Sequence, residues 1–321
     1  MSGEGRDERL RGKLVVLLGG SGFFGTHLAQ ELLSRGARLR IASRRPEQAF
    51  RIRPLGNLGQ MQFARCDVTR SASLTAVLEG ADAVVNLVGA FKGDLDALQG
   101  RGAGNIAAAA KAAGATAFMQ ISAIGADAEG ATAYARTKAE GETAVLAAFP
   151  GATILRPSVL FGPDDNFLNL FGGLISKLPA VPVFGPDKLF QPLFVDDAAA
   201  AAAEALADPG RHGGKTFELG GPERIALLDL NQRIAKAQHR TPLFMPVPDF
   251  ASAAFATATG WLPFAPLSSD QWKLLAAGNV VSGEFPGIDT LGVAPRPLAL
   301  FLDRWMVRYR KHGRFGDKLA A

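Results

Sequence analysis

The chain has 321 residues, 48% hydrophobic and 20% charged, an ordinary balance for a globular protein with room for one or two domains. Its single cysteine, Cys66, excludes an internal disulfide, and nothing in the composition argues for secretion. Residues 296–321 hold seven Arg or Lys against two acids, a surplus equal to the whole net charge of +5, so the rest of the fold is expected to carry no basic face.

In chain order, the N-terminal stretch to Lys13 is charged and lacks an apolar h-region, so no signal peptide is expected and the location is read as cytoplasmic. Val15 to Leu18 form an apolar run typical of a strand buried on both faces. Gly19, Gly22 and Gly25 follow with G-x-x-G-x-x-G spacing, and a helical pattern runs on through His27, Leu28, Leu32 and Leu33. A strand feeding a glycine turn that opens a helix aims backbone N–H groups and the helix dipole at one point, which binds phosphate. Such a unit, closed by a second strand Arg38–Ser43, predicts dinucleotide binding at Gly19, Ser21, Gly22, Phe23, Phe24 and Gly25.

Further strands are predicted at 61–66, 83–88, 117–121 and 152–156, with helices at 71–79, 104–113 and 131–148. Strict alternation with short links means an α/β fold, a doubly wound parallel sheet of Rossmann type with a smaller C-terminal lobe. The domains are placed at 1–163, binding dinucleotide, and 164–321, a lobe for substrate or partner with parts of 190–221 returning to the sheet. Phenylalanine and proline accumulate in that lobe; most of these residues are assigned to core, some to a cleft for a lipophilic small molecule. The run from Phe250 to Ser269 is uncharged for the length of a membrane span but contains Gly260, Pro263 and Pro266, so it reads as a packed segment.

Near the end of the second strand, where NAD-preferring units carry an acid, this chain has Ser43-Arg44-Arg45. Two forked guanidinium groups suit a 2′-phosphate, so NADP(H) is preferred to NAD(H). Tyr134 and Lys138 lie four apart, on one face of the predicted helix. A nearby ammonium favours the phenolate and moves the phenol toward a pKa useful for proton exchange. Ser122, after the fifth strand, is placed to orient a carbonyl.

The four histidines show no ligand spacing, so no metal site is expected. Asp164-Asp165 reads as part of a turn, Asp196-Asp197 as the cap of an alanine-rich helix, and Cys66 as a small buried residue. In the tail, Leu298, Phe301, Leu302, Trp305 and Tyr309 fall at helical spacing among Arg304, Arg308, Arg310 and Lys311. Such a basic amphipathic helix suits an anionic membrane or an acidic partner, or packs on its own domain. Nucleic acid is not expected, because no recognition motif accompanies the basic residues.

Taken together, Gly19-x-x-Gly22-x-x-Gly25, Asp67, Asn86-x-x-Gly89, Tyr134-x-x-x-Lys138, Leu155-Arg156-Pro157, Phe161-Gly162-Pro163 and Val195-Asp196-Asp197 resemble the extended or atypical short-chain dehydrogenase/reductases. The resemblance covers most of residues 13–221. It implies that Asp67 and Val68 lie beside the adenine, that Leu87, Val88 and Gly89 run along the cofactor, and that Pro157 and Ser158 flank the nicotinamide. It also implies Tyr134, Lys138 and Ser122 as catalytic residues. The chain departs at Ala123 and Ile124, where many members carry a second serine or threonine. Leu18, together with the runs 270–275 and 279–283, is similar to the NADPH-binding accessory subunits of respiratory complex I and their bacterial relatives. That likeness implies a largely structural nucleotide and a link to the respiratory or quinone apparatus, docked through the basic tail helix on the inner face of the cytoplasmic membrane. The alternative is an active NADP-dependent reductase, epimerase or dehydratase using Tyr134 and Lys138.

Overall fold

A computed structural model describes residues 8–259 and 268–313. The chain folds into two compact units: one from the N-terminus to Pro157 with 195–219 and 282–294, the other from 158–194, 220–281 and 295 onward.

The first unit is built on β1 (Leu14–Leu18), β2 (Arg38–Ser43), β3 (Met61–Arg65), β4 (Ala83–Asn86), β5 (Ala117–Ile121), β6 (Thr153–Pro157) and β7 (Thr216–Leu219). They form one sheet in the order β7-β6-β5-β4-β1-β2-β3, every pair parallel. Strand order reverses between β1 and β4, and the crevice outside the carboxyl ends of these strands is where such sheets bind ligands. All five residues of β1 are buried, because helices cover both faces. On one face α1 (Phe23–Ser34) packs against α6 (Val195–Ala207). On the other, α2 (Ser71–Leu78), α4 (Arg101–Ala112) and α5 (Ala133–Ala148) close over Val16, Leu18, Val84, Phe118 and Ile154. Alanine and glycine in α4 serve close approach: a Cβ added at Gly104 would lie 2.8 Å from that of Ala144 on α5.

Several elements differ from the sequence reading. The fourth strand stops at Asn86, not Val88, because Oδ1 of Asn86 accepts from the N–H of Val88 (3.1 Å) and turns the chain. A 3-10 segment, Pro46–Leu55, and a short helix, α3 (Leu95–Gln99), fall where no period was visible. Asp196 and Asp197 lie inside the first turn of α6, and Asp196 pairs with His27 Nδ1 on α1 (2.5 Å).

In the second unit, helices Phe167–Lys177, Leu227–Ala237, Asp249–Thr259, Ser269–Ala276 and Ala299–Met306 accompany a parallel pair, Ala180–Phe184 with Leu243–Val247. The middle of the uncharged run 250–269, including Gly260, Pro263 and Pro266, lies outside the described residues. So do Arg314, Asp317 and Lys318 of the tail. Leu298, Leu302 and Met306 of the tail segment are buried, and Phe301 and Trp305 stack on each other and pack edge-on or tilted against Phe161 and Phe194. Its apolar stripe is thus spent inside its own unit, and Arg304, Arg308 and Lys311 remain exposed. The runs that carry the accessory-subunit likeness have structural work here. Asn279 Oδ1 accepts from Val159 N–H (2.7 Å) and from Ser158 Oγ (2.9 Å), and its backbone pairs with Leu189 and Gln191. Trp272 packs with Ala256, Phe184 and Leu275. Among the described residues, no helix is long and apolar enough to cross a membrane.

Candidate functional site

At the carboxyl end of β1, Gly19 takes φ +80°, a left-handed conformation that costs an L side chain about 1–2 kcal/mol. A Cβ there would also press on the Leu87 carbonyl carbon at 3.3 Å. Gly22 caps α1 in an extended conformation with no side-chain hydrogen bond to the first turn. The free amides and the dipole of a 12-residue helix therefore face the cleft. Gly25 is fixed by packing, since a Cβ would meet the Gly20 backbone at 2.7 Å.

These loops border a cleft of about 630 Å³, wholly within the first unit and of ordinary size for a cofactor site. Of the residues singled out for the nucleotide, Gly19, Ser21, Gly22, Ser43, Arg44, Arg45, Asp67, Val68, Leu87, Val88 and Gly89 line it. Phe23, Phe24 and Gly25 sit behind it, in the first turn of α1. Tyr134, Lys138, Ser122, Pro157 and Ser158 are not among its lining residues. Pro157 ends β6, its carbonyl accepting from Ile124 N–H (3.2 Å). Ser158 opens the second unit and spends its hydroxyl on Gln191 O (2.6 Å) and Asn279 Oδ1 (2.9 Å).

One end of the cleft is cationic. Arg44 and Arg45 follow β2, and Arg65, which sequence reasoning did not single out, is the register partner of Ser43 across the β2–β3 ladder. The even charge balance outside the tail hides a local surplus: residues 38–70 hold eight arginines and two acids. The expectation of no basic face away from the tail is thereby corrected; averaging over the chain cancelled this cluster against acids elsewhere. Ser43 Oγ is buried without a hydrogen-bond partner among the described residues, an orphan polar atom at the edge of the cleft. Asp67 accepts from Thr69 N–H (3.1 Å) and Oγ1 (2.8 Å), and these bonds hold its carboxyl below the usual carboxylate range. Cys66, buried, also lines this end, and burial pushes its thiol up. Donors, cations and an orphan hydroxyl together fit the phosphates and hydroxyls of a dinucleotide.

The catalytic candidates gather on α5. Thr132 caps the helix, its Oγ1 accepting from Ala135 N–H (3.2 Å). Lys138 is 4% exposed and donates to Ile121 O (3.1 Å) at the end of β5, next to Ser122. Its Nζ lies 3.3 Å from where a Cβ on Gly89 would stand, so the ammonium sits directly behind the cleft wall. Burial pulls the lysine down to about 8, against a smaller upward pull from Glu142. Tyr134 is pushed up to about 12 by burial. Its ring stacks on that of Phe91 (centroids 4.6 Å apart, 19° between planes), while Phe91 itself is 67% exposed. The same-face spacing is as expected, but its electrostatic consequence is not: burial moves the phenol up, away from the range useful for proton exchange. Ser122 Oγ is the second orphan hydroxyl of this unit.

Gln99 on α3, a residue without any sequence signal, ties the cleft to this cluster. Its Oε1 accepts from Ala90 N–H (3.0 Å) and its Nε2 donates to Thr137 Oγ1 (2.9 Å). A buried pair, Asn86 Nδ2 donating to Gln120 Oε1 (2.8 Å), fixes the β4 end of the same wall.

A seven-stranded parallel sheet with a glycine cradle and a cationic pocket at its switch point is a Rossmann fold of the class that binds dinucleotides. A family model described as NAD(P)H-binding matches residues 19–166. The chain is 30% identical over 336 residues to mitochondrial NADH dehydrogenase (ubiquinone) 1 alpha subcomplex subunit 9 of Arabidopsis thaliana, covering 99% of this chain and 83% of that protein. It is 31% identical over 318 residues to the same subunit of Rattus norvegicus, covering 97% and 84%. The chain belongs to the family of these subunits. Among solved structures, the NADPH-dependent quinone oxidoreductase QOR2 of Escherichia coli, complexed with NADPH, superposes with a TM-score of 0.71 over 90% of this chain and 99% of that one. At 20% identity that match shows the shared fold.

Proposed function

We propose that this chain holds NADP(H) largely as a structural element and works as an accessory component of a membrane-bound respiratory or quinone-linked complex. The observation that carries the reading is the extent of the likeness, which runs through both units to 97–99% of the chain. In support, the Phe91 ring stacks on Tyr134 and covers it, a poor arrangement for turnover. NADP(H) is preferred to NAD(H) because Ser43, Arg44 and Arg45 offer a hydroxyl and two guanidinium groups where a ribose-binding acid would otherwise stand. Gly19, Ser21 and Gly22 would cradle the diphosphate, and Asp67 and Val68 would border the adenine. Docking would use the exposed Arg304, Arg308 and Lys311 against an acidic or anionic face, on the inner side of the cytoplasmic membrane. Nucleotide saturating the site at 100 times its dissociation constant stabilises the fold by about 2.7 kcal/mol. The test is native separation of solubilised membranes from cells expressing a tagged chain. Co-migration with a respiratory complex, with NADP(H) retained, is the expected result; a free cytosolic species without nucleotide refutes the reading.

A second reading, an active NADP-dependent reductase or epimerase, is favoured by the orphan hydroxyl of Ser122 beside the carbonyl that Lys138 holds. Bound nicotinamide would supply hydride, and Tyr134 would give or take the proton. Tyr134→Phe separates the two: loss of turnover with nucleotide retained supports the enzyme, and unchanged assembly with no activity in either protein supports the structural role.

A further inference from the structure

The cationic end of the cleft is built from more than the strand-end pair. Arg65 closes β3, the edge strand of the sheet, and the parallel ladder fixes it opposite Ser43. Cys66 N–H donates to Ser43 O (2.9 Å), which locks the two strand ends together immediately beyond that pair. Among the described residues, the side chains of Arg44, Arg45 and Arg65 make no hydrogen bond or ion pair. Nearby arginines differ: Arg40 is held by Gln62 Oε1 (3.0 Å) and by the carbonyls of Val77 (2.8 Å) and Glu79 (2.7 Å), and Arg70 stands 3.7 Å from Asp67. The single carboxylate in the cleft lining, Asp67, is turned onto Thr69. Three exposed guanidinium groups, of which Arg44 also feels the charge of Asp67, and a buried, unpartnered hydroxyl therefore line one volume. An anion with several acceptor oxygens among them would take forked donors from more than one guanidinium.

We propose that Arg65 is a specificity-determining residue of this site, completing with Ser43, Arg44 and Arg45 a subsite for a phosphate monoester dianion, the 2′-phosphate of NADP(H). The assignment rests on the NADP(H) reading above and deepens it. Arg65 contributes what the loop pair cannot, a cation whose backbone is held in a strand and whose register to Ser43 is fixed before the ligand arrives.

The test is calorimetric titration of the full chain, wild type and Arg65→Gln, with NADPH, NADH, adenosine 2′,5′-bisphosphate and AMP. Loss of one forked, charged contact is expected to weaken NADPH and the bisphosphate about tenfold to thirtyfold, with NADH and AMP changed less than twofold. Arg65→Lys, which keeps the charge and loses the fork, is expected to fall between the two. Equal weakening of all four ligands, or none, overturns the role of Arg65. If Arg44→Gln abolishes the preference while Arg65→Gln leaves it intact, the NADP(H) reading stands and this assignment fails. A wild type that binds NADH as tightly as NADPH overturns the NADP(H) reading itself. Thermal melts without ligand, run on each variant, separate these outcomes from misfolding, since the expected pattern is a change of ratio among ligands.

Discussion

Lys138 is the residue whose removal is expected to help the fold most. Burial lowers its pKa to about 8 from an ordinary 10.5, so the folded state must bury an ammonium at neutral pH. At about 1.4 kcal/mol per pKa unit, that gap amounts to about 3 kcal/mol. In Lys138→Met the charge is gone and the chain length nearly kept. The hydrogen bond to Ile121 O is lost, but that carbonyl still accepts from Gln120 Nε2 (3.1 Å), so the loss is about 1 kcal/mol. Lys138→Met without nucleotide is therefore expected to be more stable than wild type by about 2 kcal/mol at pH 7. The sign of the pH dependence follows from the depressed folded value: the penalty is full below about 8 and fades as pH rises toward 10.5, where the unfolded chain also loses the proton. The advantage should fall to about 1 kcal/mol at pH 9 and vanish near pH 10. Urea unfolding of both proteins at pH 7, 9 and 10 checks this, the difference cancelling every other titrating group. A variant less stable than wild type at pH 7, or a difference independent of pH, would refute the reasoning.

Three other outcomes are expected. Arg156→Met should cost about 3–5 kcal/mol by chemical denaturation, because Arg156 grips Glu142 with two bonds (2.9 and 2.7 Å) and lies 3.9 Å from Glu218, carboxylates that are 7% and 3% exposed. In a Tyr309→Phe background, which leaves Tyr134 the sole tyrosine, Phe91→Ala should lower the phenol pKa from about 12 by admitting water to the ring, read as absorbance at 295 nm against pH; an unmoved titration would show that Phe91 does not shield it. Gly19→Val forces a β-branched residue into φ +80° against the Leu87 carbonyl and should abolish the nucleotide-induced rise in melting temperature while the fold remains.

β1 and β4 were legible because they are apolar runs between helices, and β1 with its glycine turn reads the same in sequence and in structure. The seventh strand was not legible as a unit. Thr216-Phe217-Glu218-Leu219 places a carboxylate in a buried position, and its compensation comes from Ser282 N–H and Oγ (2.6 and 2.9 Å), far along the chain. Arg65 escaped notice for a related reason: only the register of β2 on β3 makes it a neighbour of Ser43. The Tyr134–Lys138 spacing was legible, but the depth of the pair was not. An i, i+4 pattern places two side chains on one face without telling how much water reaches them, and water decides the sign of both pKa shifts here.

The charges around the cleft bear on why a nucleotide matters to this chain whether or not hydride moves. At one end three guanidinium groups share the lining with a single carboxylate, Asp67, and behind the wall at Gly89 an ammonium is buried at a cost of about 3 kcal/mol. The buried ammonium does not stabilise the empty protein, and an apolar residue in its place would. A dinucleotide carrying several phosphate charges offsets the guanidinium charge directly. A ribose hydroxyl within reach of Lys138 would give the ammonium a second acceptor besides Ile121 O. Folding and nucleotide binding are thus coupled through the same cations, so the state in which this fold is most stable is the one with its ligand in place.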